Sequence, residues 1–223
     1  MRGRDILARV DHTLLKPTAT EKAIFELAEE AIAFGTASVC VPPMFVKPLK
    51  LHYGPVLTVC TVIGFPLGYM TLDAKVAEAA DALANGADEL DMVINRGLVK
   101  MGDYRAVTEE IYRIKQLCGN RILKVIVEVC DLTDDEIVEC CHCVTAAGAD
   151  FIKTSTGFGS YGATPQAVKL FKDHIGPNVR IKAAGGIRTI KDLLTYINLG
   201  CDRIGASAAV DLLRDRLEED LCE

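Results

Sequence analysis

The sequence predicts an α/β protein with one domain, a (β/α)8 TIM barrel spanning residues 1–223. Eight short strand-like runs alternate with amphipathic helical segments along the chain, which is the order of elements that a parallel barrel requires. A glycine-led tripeptide recurs before every second strand, at Gly35, Gly86, Gly148 and Gly200, and a glycine that ends a helix explains each occurrence. A doubly wound open sheet is the alternative, but it would not need this regular repeat.

The expected strands are short and rich in Val, Ile and Leu, as buried parallel strands are. In chain order they are residues 7–13, 37–41, 56–63, 89–95, 122–129, 151–154, 179–183 and 203–206. The repeat covers about two βα units, so the chain holds eight units in a barrel slightly smaller than the usual length of about 250 residues.

Helix starts are marked between these strands. Thr18-x-x-Glu21 and Thr133-x-x-Glu136 have the capping-box pattern, in which the Thr and Glu side chains satisfy backbone N–H groups at the helix start. Thr164-Pro165 supplies an N-cap followed by Pro at the first helical position, and Thr189 opens a further helix. The helix after the third strand is expected to bury one face, formed by Val76, Ala80, Leu83, Ala84 and Ala87.

Composition and charge exclude several classes of function. The net charge is −6 and the pI is near 5.3, whereas a nucleic-acid binder needs basic charge to neutralise phosphates. No secretory signal is visible at the N-terminus. Residues 53–72 are uncharged, but Gly54, Pro55, Gly64 and Pro66 interrupt them, so a buried strand and loop are favoured over a membrane span. We expect no nucleic-acid partner and no membrane partner.

The nine cysteines are odd in number and lack the spacing of a secreted disulfide framework. Reduced thiols in the cytoplasm are the simpler interpretation. The cluster Cys140-Cys141-His142-Cys143 lies within a helical pattern, which turns its side chains to different sides of the helix. Because zinc sites use other ligand spacings, we expect no metal there, and its role stays open.

Ionisable residues within the expected strands point to chemistry. Asp91, Lys124, Lys153 and Lys182 fall on the fourth to seventh strands, which are neighbours in a barrel. A single buried lysine is most often structural, but three together are too costly for accidental packing. A lysine beside other cations gives up its proton more easily, and the free amine attacks carbonyl groups. The pattern therefore predicts a Schiff-base site, with Asp91 carrying protons.

A second candidate site is rich in glycine. Gly185 and Gly186 follow the seventh strand, and Gly205 and Ser207 follow the start of the eighth. Barrels often bind phosphate at these two loops through backbone N–H groups. Small residues that permit tight turns are the alternative, but the pairing of both motifs with Arg188 favours phosphate.

Several long motifs resemble the deoxyribose-phosphate aldolase family, in order and over nearly the whole chain. They are Val10-Asp-His-Thr-Leu-Leu-Lys-Pro17, Ala37-Ser-Val-Cys-Val-Pro-Pro43, Ile63-Gly-Phe-Pro-Leu-Gly68, Asn85-Gly-Ala-Asp-Glu-Leu-Asp-Met-Val-Ile-Asn95, Phe151-Ile-Lys-Thr-Ser-Thr-Gly-Phe158 and Ile181-Lys-Ala-Ala-Gly-Gly-Ile-Arg188. The resemblance implies a class I TIM-barrel aldolase without metal or other cofactor. It implies reversible cleavage of 2-deoxy-D-ribose 5-phosphate to acetaldehyde and D-glyceraldehyde 3-phosphate, in deoxyribonucleotide catabolism.

The same resemblance implies roles for individual residues. Lys153 would form the Schiff base. Lys182 would ease the loss of its proton and would itself donate or accept protons, as would Asp91. The supporting residues would be Lys124, Asp11 and Cys40, with Cys40 lining the pocket. The phosphate would be held by Gly157, Gly185, Gly186, Arg188, Gly205 and Ser207.

The chain departs from the family pattern at two positions near the expected phosphate site. Phe158 stands where some members carry a basic residue, and Ala208 stands where a second Ser is common. Both positions bear on the choice between phosphorylated and neutral aldehydes. The C-terminal residues 217–223 lack the Tyr with which some members end, and we assign this tail no catalytic role.

Three other functions fit the residues. A phosphosugar isomerase on the same barrel would use Asp91 as its base and Lys153 only as an electrostatic helper. Another Schiff-base aldolase on the same barrel is the second alternative, and a barrel that binds phosphosugars without turning them over is the third. The apolar composition favours a homo-oligomer, a dimer or a tetramer, in each case.

Overall fold

The computed structural model describes residues 1–221, and the last two residues of the C-terminal tail, 222 and 223, lie outside the described residues. Eight parallel strands close into a barrel in chain order, and β8 pairs with β1. The strands are β1 (Val10–Thr13), β2 (Ser38–Val41), β3 (Val59–Ile63), β4 (Glu89–Val93), β5 (Ile122–Ile126), β6 (Phe151–Lys153), β7 (Arg180–Ala184) and β8 (Arg203–Ala206). The barrel prediction is confirmed.

Helices surround the barrel, and most strands are followed by at least one of them. They are α1 (Gly3–Leu7), α2 (Glu21–Phe34), α3 (Val46–Tyr53), α4 (Leu72–Ala84), α5 (Arg96–Lys100), α6 (Tyr104–Cys118), α7 (Asp134–Ala146), α8 (Pro165–His174), α9 (Ile190–Asn198) and α10 (Ala209–Leu213). Buried apolar side chains between the strands and these helices form the main core. No helix in the described part of the chain is both long and apolar enough to span a membrane.

Sequence signals located the elements well and their ends less well. The first predicted strand began too early, because residues 3–7 form α1 instead. The third and fifth strands were predicted too long, since a short 3-10 turn at residues 54–56 precedes β3 and another at residues 129–131 follows β5. The N-caps Thr133, Thr164 and Thr189 are confirmed.

Two helix details differ from the sequence prediction. The N-cap of α2 is Thr20 rather than Thr18, because the Thr20 side chain accepts the Ala23 N–H. The buried face of α4 contains Lys75, Ala79 and Leu83, whereas Ala80 is exposed. The apolar pattern missed this face because its first residue is a lysine. Lys75 is fully buried, and its charge is compensated by an ion pair with Glu110, with 2.8 Å between Nζ and Oε2.

Strand register determines which side chains share the lumen. Asp91 on β4 is paired with Lys124 on β5, and Lys153 on β6 is paired with Lys182 on β7. Lys153 is also paired with Ile126 on β5. Side chains alternate along a strand, so Lys124 enters the lumen two residues before the level of Lys153. The register therefore places one lysine beneath the other two.

Candidate active site

Seven ionisable side chains gather inside the barrel. Four are basic and three are acidic: Lys124, Lys153, Lys182, Arg203, Asp11, Glu89 and Asp91. Their charges are mostly compensated, which is the condition for burying charged groups at tolerable cost. The cluster has four basic groups but only three carboxylates. One basic group in the lumen therefore has no carboxylate of its own.

Asp91 is the centre of this cluster. Its Oδ2 accepts hydrogen bonds from Lys153 Nζ and Lys182 Nζ, each over 2.7 Å. Its Oδ1 accepts one from Lys124 Nζ over 2.9 Å. The three lysines predicted to share one lumen do so, and in the structure all three contact this one carboxylate.

A lower layer of charge supports this arrangement. Asp11 is in close contact with Lys182 and accepts a hydrogen bond from Arg203 over 2.5 Å. Glu89 lies 2.5 Å from Lys124 Nζ and 3.2 Å from Arg203. Lys124 and Lys182 thus each contact a carboxylate besides Asp91, whereas Lys153 has only the shared oxygen of Asp91.

The electrostatics of the cluster separate the roles that its members can take. Burial alone would raise the pKa of Asp91, but Lys124, Lys153 and Lys182 hold it well below its usual range. Burial alone would lower the pKa of Lys182, but Asp11 and Asp91 raise it above its usual value. Burial alone would also lower the pKa of Lys124, but the nearby carboxylates, chiefly Asp91, raise it well above its usual value. At neutral pH these two lysines are cations and Asp91 is an anion.

Cys40 lies deeper than predicted. It is fully buried, and it does not line the pocket beside Lys153. Its register partner on β3 is Cys60, whose Sγ donates to Asp91 Oδ1 over 3.2 Å. A hydrogen bond from Cys60 is the main cause that lowers the pKa of Cys40, while burial raises the pKa of Cys60.

A glycine-lined pocket of about 320 Å³ opens above Lys153. It is lined by all six residues predicted to hold phosphate: Gly157, Gly185, Gly186, Arg188, Gly205 and Ser207. Within the described chain, the N–H groups of Gly157, Gly186 and Ser207 donate no hydrogen bond to another residue. The βα loops after β6, β7 and β8 therefore offer free donors at the rim of the pocket that Lys153 enters.

Sequence reasoning missed several residues of this site. Lys16 lines the glycine pocket, and no described residue pairs with its ammonium group. Glu89 and Arg203 complete the lower charge layer, and Cys60 contacts Asp91. Glu89 was detectable, because it stands two residues before Asp91 and must face the same side of the strand.

Two other features, a surface cleft and a buried cluster of potential metal ligands, provide no second candidate site. A wider cleft of about 540 Å³ between α9 and residues 216–221 contains none of the predicted site residues. Among the described residues, Cys40, Cys60 and Asp91 form the only group of three potential metal ligands whose ligand atoms lie close together. Both Asp91 oxygens there are already engaged by lysine ammonium groups, and the predicted absence of a metal at residues 140–143 stays a prediction.

Amines beneath a pocket of this size indicate chemistry on the carbonyl group of a small polar substrate. Together with the closed parallel barrel, they define the chain as a barrel enzyme of the aldolase class.

Comparison with known proteins identifies the family. The family model of DeoC/LacD family aldolases matches residues 6–215, and the chain belongs to this family. A deoxyribose-phosphate aldolase of Clostridium botulinum (strain Eklund 17B / Type B) is 54% identical over 214 residues, covering 96% of this chain and 97% of that protein. One from Streptococcus pyogenes serotype M28 is 50% identical over 215 residues, covering 96% of each chain.

Solved structures agree in fold. The aldolase QR15 is 38% identical, with a TM-score of 0.90 over 95% of both chains. The deoxyribose phosphate aldolase from Aeropyrum pernix, described as having a unique tetrameric structure, is 33% identical, with a TM-score of 0.86 over 96% of this chain and 91% of that one. The residues that the family model matches, 6–215, span every position of the lumen cluster.

Proposed function

We propose that this protein catalyses the reversible aldol cleavage of 2-deoxy-D-ribose 5-phosphate to acetaldehyde and D-glyceraldehyde 3-phosphate. The observation that carries the proposal is the position of Lys153, at the interface between the charged lumen and the glycine-lined pocket. A substrate with its phosphate among the loop N–H groups places its other end toward this amine.

Lys153 is the nucleophile in this proposal. Among the lumen lysines it alone lines the pocket, and it shares its only carboxylate oxygen with Lys182. Because the cluster has one more basic group than it has carboxylates, loss of a proton from Lys153 leaves balanced charges. The free amine adds to the C1 aldehyde of the open-chain sugar, and loss of water gives an iminium ion.

The iminium ion makes carbon–carbon cleavage possible. It accepts the electron pair of the C2–C3 bond when that bond breaks, and an enamine forms on Lys153. The proton of the C3 hydroxyl goes to Asp91, directly or through a water, and C3 leaves as the aldehyde of glyceraldehyde 3-phosphate. The iminium ion formed on Lys153 thereby serves as the electron sink.

Lys182 completes the cycle as the proton donor. Asp11 and Asp91 raise its pKa against the effect of burial, so it stays protonated at neutral pH and cannot act as the base. Its proton passes through Asp91 Oδ2, which lies 2.7 Å from both lysines, to C2 of the enamine. The proton that Asp91 took from the C3 hydroxyl then replaces it on Lys182. Addition of water to the resulting iminium releases acetaldehyde and restores the amine.

The phosphate half of the substrate is assigned to the six pocket residues and to Lys16. Free backbone N–H groups bind phosphate oxygens well. The exposed side chains of Lys16 and Arg188 at the rim add positive charge. Lys16 thus supplies a cation on the loop after β1, whereas position 158 on the loop after β6 is occupied by Phe.

The proposed function is tested by assaying the protein with deoxyribose 5-phosphate and, separately, with a ketose phosphate. Purified protein is expected to cleave deoxyribose 5-phosphate, and replacement of Lys153 by Ala is expected to abolish this activity. Arg, which is also cationic but not nucleophilic, is the matched control at the same position. An isomerase would instead convert a ketose phosphate to an aldose phosphate and would keep substantial activity without Lys153.

We also propose a homo-oligomer located in the cytoplasm. The tetrameric structure of the related aldolase and the exposed apolar side chains of Met44, Leu51 and Val56 support association. The eight cysteines in the described part are free thiols, which fits a reducing compartment. Light scattering coupled to size-exclusion chromatography measures the number of subunits, and a monomer at micromolar concentration would contradict the proposal.

A further inference from the structure

Glu128 is a buried carboxylate with an unusual backbone. It follows β5, its side chain is 1% exposed, and its backbone has φ 59° and ψ 71°. Within residues 1–221 it is the one residue other than glycine with positive φ. A non-glycine residue adopts this left-handed conformation at a cost, and such residues concentrate at functional sites.

The Glu128 carboxylate holds the turn that follows Lys153. Its Oε1 accepts the Thr156 N–H over 3.2 Å, and its Oε2 is in close contact with the Thr156 hydroxyl. The same hydroxyl oxygen accepts the Phe158 N–H over 3.0 Å. Both oxygens of Glu128 are therefore engaged by one residue of the turn, and that residue holds the next part of it.

This arrangement determines which donor of the turn is left for a ligand. The N–H groups of Thr156 and Phe158 are used internally, whereas the N–H of Gly157 between them has no acceptor among the described residues. Gly157 has φ 86° and lines the pocket with Gly186 and Ser207. The free donor thus lies where the loops after β6, β7 and β8 meet.

Arg96 connects Glu128 to the neighbouring loops. Its guanidinium group lies 3.9 Å from Glu128, 2.5 Å from Asp131 and 2.6 Å from the Leu67 carbonyl. Arg96 compensates the buried charge of Glu128 without occupying the oxygens that hold Thr156. One carboxylate therefore links the loops after β3, β4 and β5 to the phosphate loop after β6.

We propose that Glu128 is a positioning residue that shapes the Thr156–Phe158 turn for phosphate binding and thereby sets the preference for phosphorylated substrates. The proposal rests on the proposed function for its substrate, but its geometry does not involve the reacting carbons. A carboxylate is required because it presents two acceptors to two donors of Thr156. An amide would turn an NH2 group toward one of them.

The test compares Glu128→Gln with Asp131→Asn, a matched variant that removes the other charge beside Arg96. Losing one hydrogen bond to a charged group is expected to raise KM for deoxyribose 5-phosphate by about tenfold. We expect kcat to change less than about threefold, and kcat/KM for unphosphorylated deoxyribose to change equally little, because neither depends on the phosphate loop. Asp131→Asn is expected to alter KM by less than about twofold.

Variants of Thr156 test the same contact from the other side. Thr156→Val removes the hydroxyl and is expected to raise KM as Glu128→Gln does. Thr156→Ser keeps a hydroxyl and is expected to have a KM close to that of the wild type. The Glu128→Gln/Thr156→Val double variant is expected to have a KM no higher than that of either single variant. An equal fall of kcat for both substrates, or additive effects in the double variant, would overturn the proposal.

Calorimetric binding of inorganic phosphate separates this proposal from the proposed function. Weaker phosphate binding by Glu128→Gln in a protein that cleaves no deoxyribose 5-phosphate would refute the proposed function and support the role of Glu128. Unchanged phosphate affinity in an active aldolase would refute the role of Glu128 alone.

Discussion

Lys153 and Lys182 donate to the same oxygen of Asp91, each over 2.7 Å. Two ammonium groups on one carboxylate oxygen are a crowded arrangement, and Lys182 has Asp11 as an additional partner while Lys153 does not. Lys153 is therefore the less compensated of the two amines. The same oxygen of Asp91 connects it to Lys182, the proton donor of the proposed mechanism.

Reductive trapping is expected to modify Lys153 and no other lumen lysine. Incubation with acetaldehyde and borohydride would leave an ethylated lysine in the peptide that contains residue 153, identified by mass spectrometry. Lys153→Ala is expected to lower kcat/KM by at least about 1000-fold, and Lys153→Arg to do the same. Label on Lys182 with full activity in Lys153→Ala would show that the nucleophile is misassigned.

Asp91→Asn is expected to lower kcat by about 100-fold or more, because an amide cannot carry the proton. The substitution also leaves three ammonium groups without their shared carboxylate. The free energy of unfolding is therefore expected to fall by about 3–5 kcal/mol. Steady-state kinetics and urea unfolding measure the two effects. If both stay at the wild-type level, the charge cluster has no role in catalysis or stability.

Stability is expected to fall in acid because of the lumen carboxylates. Burial would raise the pKa of Asp11, but Lys182, Lys124 and Arg203 lower it below its usual 3.8. A carboxyl with a lowered pKa in the folded state stabilises the protein above its unfolded pKa, and this contribution is lost as the pH falls toward the folded value. Unfolding free energies should therefore decline below about pH 5.

Asp11→Asn isolates this contribution, and Asp73→Asn, at a carboxyl whose side chain is 92% exposed, is the control. The loss of stability between pH 7 and pH 3 should be smaller in Asp11→Asn than in the wild type by about 1 kcal/mol or more. It should be unchanged in Asp73→Asn. Equal slopes in all three proteins would contradict the lowered pKa of Asp11.

Ser207→Asp is expected to impair binding of the phosphorylated substrate selectively. A carboxylate in the pocket repels phosphate, so KM for deoxyribose 5-phosphate should rise by about tenfold or more, with a much smaller effect on unphosphorylated deoxyribose. Ser160→Asp adds the same charge at an exposed position that does not line the pocket, and it should have little effect. Equal losses for both substrates would remove the phosphate assignment.

Chelation is expected to leave the reaction rate unchanged. The proposed electron sink is the iminium ion on Lys153, and Asp91, the carboxylate nearest to it, is engaged by lysines. Dialysis against EDTA, followed by assay with and without added Zn²⁺, measures this. A loss of activity that Zn²⁺ reverses would show that a metal takes part.

Local sequence features predicted much of the fold, because strand and helix signals act over short distances. Thr133, Thr164 and Thr189 cap the predicted helices. The predictions were weakest where a polar group is buried by a distant partner. Lys75 broke the apolar pattern of its helix because Glu110, 35 residues away, compensates its charge.

The sequence by itself determined that lysines lie on three consecutive strands and that glycines lie at or just after the carboxyl ends of the strands beside them. Which carboxylate each lysine meets was decided only by tertiary structure. Barrel closure brings Arg203 to Asp11 across 192 residues of sequence, and the strand register sets Lys124 below Lys153. The position of Glu128 against Thr156 likewise follows from packing of neighbouring loops. Such pairings depend on the stagger of all eight strands, and no local pattern of residues encodes that stagger.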